Sequence, residues 1–135
     1  MSLFNRVLSN SFAGLPQVGR AGQGMLGNLS VLTKSTNVDH TITVAEMAGG
    51  CIYYDSLSAG RAVTTPTAAL ILAAAPDMDI GDSFMFWVSI QDAFAITWNA
   101  GANVTLKGRA TTAASASSLI VVTKTAATTV DWYVL

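Results

Sequence analysis

One histidine, His40, and one cysteine, Cys51, occur among the 135 residues. A Ser-His-Asp or Cys-His relay would have to run through His40, and a two-histidine metal site is excluded. His40 follows Asp39 at the head of a β-like run, the place of a solvated turn residue, so no relay is assigned to it. The single glutamate, Glu46, lies inside that run and leaves paired-carboxylate chemistry to the aspartates. Asp77, Asp79 and Asp82 form D-x-D-x-x-D, the one arrangement with ion-binding character. It lacks the bidentate glutamate and the length of an EF-hand loop, and it follows a helical run, so it reads as a solvated turn without Ca²⁺. Glycines 19, 22, 24 and 27 have only loose phosphate-loop spacing, with no Lys-Ser or Lys-Thr after them. The expectation is no catalytic residue, no cofactor, no metal and no enzymatic activity.

A lone cysteine makes no intramolecular disulfide, and Cys51 within GGCIYYD is expected as a buried thiol that behaves as a small hydrophobe. The opening MSLFNRVLSNSF lacks the continuous apolar run of a secretory signal, which points to synthesis in a host cytoplasm. Trp87, Trp98 and Trp132, with Tyr53, Tyr54 and Tyr133, fall at alternating strand positions. Such aromatics are read as core or subunit interface rather than as a sugar platform.

Composition narrows the class. Apolar residues make up 51% and charged ones 11%, and Ala, Thr and Ser together supply 48 positions. That mixture excludes a charged disordered chain, a coiled coil and a collagen-like repeat. A net charge of -1 argues against nucleic-acid binding. The longest apolar run, AALILAAA at 68–75, is too short for a helix that crosses a bilayer, so no membrane partner is expected.

The elements that must position these residues fall into two parts, divided at 36/37. Residues 1–36 carry Arg6, Arg20 and Lys34 with no acid, whereas residues 37–135 sum to -4. Glycines crowd 14–27, which disfavours regular structure there. Ahead of them Phe4, Leu8 and Phe12 recur every four residues beside Leu3 and Val7, one apolar face of a three-turn helix that needs a surface. That surface is a neighbouring protein or the chain's own body, and the spacing does not choose. In the first case Phe4, Arg6, Leu8, Phe12 and Arg20 bind the partner.

Residues 37–135 show about eight short β runs broken by turns every 8–12 residues. These are 40–47, 51–55, a run ending at Thr65, 83–91, 94–98, 103–106, 118–124 and 130–135. One short helix begins at Pro66 with Thr65 as N-cap and ends at Pro76. Runs 94–98 and 103–106 flank NAGA and read as a hairpin. The fold expected is all-β, a β-sandwich or jelly-roll-like domain behind an extended N-terminal arm. Within SFMFWVSIQ both faces are partly apolar, so Met85 and Trp87, with Leu70 and Leu72 of the helix, are expected to bury in a homo-oligomer interface.

The stretch from Thr65 to Gly108, TPTAALILAAAPDMDIGDSFMFWVSIQDAFAITWNAGANVTLKG, carries a family likeness. Its Pro-capped Ala/Leu helix, its I-G-D-S-F-x-F and its I-T-W-N-A-G-x-N-V-T-L-x-G resemble a module of bacteriophage and other viral surface proteins. Those are capsid decoration (cement) proteins and the heads of trimeric fibres. The resemblance implies a structural virion protein, a homotrimer on the capsid surface bound to the major capsid protein. Its alternative is a receptor-binding or fibre-head adhesion module. The absence of a long repetitive stalk from these residues favours decoration.

Overall fold

A computed structural model describes residues 30–35 and 37–135. Among them are ten strands and two short helices. The strands are β1 (Ser30–Lys34), β2 (His40–Thr41), β3 (Gly50–Tyr54), β4 (Arg61–Thr64), β5 (Ser83–Ile90), β6 (Ile96–Asn99), β7 (Val104–Gly108), β8 (Thr111–Thr112), β9 (Ser117–Lys124) and β10 (Val130–Val134). The helices are α1 (Val44–Met47) and α2 (Ala68–Ala74). The β-rich class expected from the run lengths is present.

Strands alternate between two sheets as the chain advances. One has six strands in the order β1-β3-β5-β9-β10-β7, the other four in the order β2-β4-β6-β8. Because β1, β3 and β5 enter the first sheet from the same side, they pair in parallel, and so do β2, β4 and β6 in the second. β9 runs antiparallel to β5 and to β10, while β10 pairs in parallel with β7. Parallel neighbours here need no helical crossover, since each connection passes through the opposite sheet.

Period-two burial aims one face of each sheet at a single core. Ile52 and Tyr54 of β3, Phe84, Phe86, Val88 and Ile90 of β5, Ile120 and Val122 of β9, and Val130, Trp132 and Val134 of β10 are all buried. The four-stranded sheet adds Val63, Ile96 and Trp98. Trp132 sits between the layers, edge-on to Phe86 with ring centres 5.5 Å apart and 5.8 Å from Trp98. Trp98 Nε1–H donates to Thr112 Oγ1 at 3.0 Å, and that hydroxyl donates to Ser118 Oγ at 2.9 Å. This buried polar chain ties the four-stranded sheet to β9.

Several local expectations are corrected. Residues 40–47 form a two-residue strand and a helix, because Thr43 and Glu46 make a reciprocal capping box that starts α1. Residues 94–98 and 103–106 are no hairpin: β6 and β7 belong to different sheets, and NAGA carries the chain between them. The N-cap of α2 is Thr67, whose side chain accepts from Leu70 N–H at 3.3 Å. Thr65 is instead buried, its Oγ1 accepting from Gly101 N–H and donating to the Pro66 carbonyl. Residues 30–34, counted with the arm, are the edge strand β1. Their β-branched Val31 and Thr33 suit the ladder that they make with β3.

Gly108 closes β7 at φ +81°, and a Cβ there would lie 2.3 Å from the Val134 carbonyl oxygen. Both the backbone region and the space demand glycine. Gly108→Ala is expected to cost ~2–3 kcal/mol, read as a lower denaturant midpoint with unchanged slope.

Candidate functional site

The alternation that fills the core leaves the opposite residues of the six-stranded sheet facing away from it. Strand register sets them in rows. Val31, Cys51, Trp87 and Leu119 stand side by side on β1, β3, β5 and β9. The adjoining row is Met85, Val121 and Tyr133 on β5, β9 and β10. Val31 is 60% exposed and Trp87 45%, and Leu135 beyond β10 is 53% exposed. An apolar band therefore crosses four strands without cover from any described residue.

Its margins satisfy themselves. Ser117 Oγ donates to Ser89 Oγ at 2.8 Å, and Ser83 and Thr123 hydroxyls pair at 2.7 Å. Tyr53 OH donates to Gln91, and Tyr133 OH to Asp131 at 3.3 Å. Asp131 and Lys107, on β10 and β7, are the charges among the outward strand positions. What remains unmet is apolar area, so the band suits an apolar partner without a charge code.

Met85 and Trp87 lie within this band, as expected for an interface. Leu70 is exposed on α2, whereas Leu72 is half-buried and packs against the chain's own core. Phe4, Arg6, Leu8, Phe12 and Arg20 lie outside the described residues. Cys51 is not in the core: it is half-buried beside Trp87, and burial raises its thiol pKa, which leaves it protonated and weakly nucleophilic. Leu119, Val121 and Val31 went unassigned in the sequence. The signal was available in SLIVVTK, whose two faces are both apolar in the same manner as β5.

Titratable groups gather at one corner. Lys34 of β1 pairs with Glu46 of α1, whose other oxygen accepts from Thr43 N–H at 2.7 Å. His40 is no solvated turn residue, being half-buried with Nε2 2.9 Å from the hydroxyl of the wholly buried Tyr54. Its Nδ1 is sealed from solvent without a hydrogen bond. Burial, and then the Lys34 charge, hold the His40 pKa below its ordinary value. Burial alone would raise Glu46, but its hydrogen bonds from Lys34 and Thr43 outweigh that and lower it. Tyr54 is pushed far above its usual range by burial and the Glu46 charge. The corner has no second histidine, thiol or carboxylate to receive a proton, and it holds β1 to the body.

Both lowered pKa values have the same consequence. Between the unfolded and folded pKa of each group the unfolded chain binds more protons, so stability rises with pH there. His40 contributes fully above about pH 6.5 and loses its contribution as pH falls towards the lower folded value. Glu46 loses its own only below about pH 4.5. Melting temperature is thus expected to fall between pH 7.5 and 5, and His40→Gln to flatten that fall.

The aspartate turn is built for closure. Asp82 is buried and its carboxylate accepts from Asp79 N–H at 2.9 Å. Lys124 Nζ donates to the Met78 carbonyl beside it. Asp77 and Asp79 are exposed. Among the described residues no three His, Cys, Asp or Glu side chains are grouped to hold a metal, and no helix is long and apolar enough to cross a membrane. Comparison with protein-family models, with curated proteins and with solved structures finds no match.

Proposed function

We propose that the chain is a structural virion protein, a decoration or cement protein that sits on the outer capsid surface and stabilises the shell. The observation that carries this reading is the uncovered apolar band around Trp87, in a body whose titratable groups are occupied in caps, turns and the Lys34–Glu46 pair. A surface of that kind belongs to assembly rather than to catalysis. The likeness of residues 65–108 to viral surface modules gives the assembly its nature. On the particle the band buries against neighbouring copies in a homotrimer, and the arm grips the major capsid protein. Two sheets around one core support the sandwich, jelly-roll-like form of the reading, although the parallel pairs give it a winding of its own.

The test is co-sedimentation of the full chain with capsids that lack it. Saturable binding that raises the temperature of particle rupture is expected. Adhesion to host cells with no binding to particles would instead favour the receptor-binding alternative.

A further inference from the structure

We infer that, before docking, residues 3–12 of the chain lie on the outer face of its own six-stranded sheet, over Trp87, and that the capsid draws them away. The inference rests on the decoration reading for what removes the segment, and on the sheet alone for where the segment lies.

Geometry supplies the first argument. The chain outside the structure ends at Ser30, the first residue of β1, one step before Val31 in the apolar row. Trp87 is two strands away, about 10 Å at the usual strand spacing. Residues 14–29 reach ~50 Å when extended, so the segment has ample slack. A helix over residues 3–12 would be ~15 Å long, which equals the three strand spacings from Val31 across Cys51 and Trp87 to Leu119.

Chemistry agrees with geometry. Phe4, Leu8 and Phe12 form one apolar stripe, with Leu3 and Val7 beside it. The band offers Val31, Trp87, Met85, Leu119 and Val121, and the hydroxyls around it are already paired. Neither side asks for a charge.

Tethering decides between this occupant and a second copy. A segment on a short flexible linker meets its site at an effective concentration of about millimolar. A separate chain at micromolar concentration is outcompeted by roughly a thousandfold for equal contacts. The cap therefore keeps single chains apart, and its removal on the particle frees the band for neighbours.

Trp87 is itself the reporter. Trp98 and Trp132 are buried at 3% and 0% exposure, so acrylamide quenching reads Trp87. In the full chain at low micromolar concentration the emission should be shielded and the sedimentation that of a monomer. A Phe4→Asp/Leu8→Asp/Phe12→Asp variant should self-associate, and adding Trp87→Lys should return it to a monomer. Monomeric full chain with Trp87 quenched as freely as an exposed indole would overturn the inference. Shielding that disappears on dilution together with an oligomer, and survives the triple substitution, would assign the face to a second copy instead. An oligomer whose shielding the triple substitution abolishes would assign it to another copy's segment and likewise overturn the placement within one chain. Particle binding is measured separately, so a capped monomer that ignores capsids sinks the decoration reading and leaves the cap standing.

Discussion

Replacing Phe4, Leu8 and Phe12 together by alanine is expected to abolish capsid decoration. Each is proposed as an apolar anchor, and anchors in protein interfaces contribute ~2 kcal/mol or more apiece. Three such losses total about 6 kcal/mol, which weakens a single arm by more than ten-thousandfold at ~1.4 kcal/mol per decade. Trimeric attachment makes the loss steeper on the particle, because avidity multiplies whatever one arm contributes. Single alanine substitutions should each weaken binding by roughly tenfold to thirtyfold. The body retains its fold in all of these variants, since the core residues lie from Ile42 onward. Saturation binding to undecorated capsids reads the effect, and a triple variant that decorates like the full chain would transfer the contact to the body. A variant that begins at Asn37 is a poorer test. It deletes β1 and the Lys34–Glu46 pair together with the arm.

Trp132→Ala is expected to be the most damaging single change in the body. The ring is fully buried between the layers and packs against Phe86 and Trp98. Removing it forfeits transfer energy and leaves a cavity lined by two aromatic rings, together ~3–5 kcal/mol. That is much of the stability of a domain of this size, so partial unfolding near body temperature should follow. Trp132→Phe is expected to cost far less. Most of the ring volume stays, and the indole N–H, which has no hydrogen-bond partner, is removed along with its desolvation penalty of ~1–3 kcal/mol. Chemical denaturation of the two variants checks the order. Equal losses would mean that the indole nitrogen is satisfied within the core.

The outward face explains why a β-protein of so few charges carries a long apolar stripe at its start. Trp87 and Met85 are costly on a solvated strand unless something covers them. The arm and the neighbouring copies are the two covers that the proposals assign, in sequence rather than in competition. Leu72, by contrast, is already used by the chain's own core.

Much of the strand content was determined by the sequence itself. The run SFMFWVSI fixes β5 and its core face, because period-two alternation of Phe84, Phe86, Val88 and Ile90 has one burial solution. Its second apolar face announced a covered surface before any fold was known. The capping box at Thr43 and Glu46 was equally legible and was overridden by β-branched Ile42 and Val44 beside it.

Only the tertiary structure decided which strands are neighbours. NAGA looks like a hairpin turn because turn chemistry is local, whereas β6 and β7 part company through pairings with β4 and β10 far along the chain. The same holds for His40: its neighbours in sequence are polar, but β3 brings the buried Tyr54 hydroxyl to it. Register across distant strands also assembles Val31, Cys51, Trp87 and Leu119 into one row. No local periodicity encodes that row, because it is set by the net burial of two whole sheets and not by any segment alone.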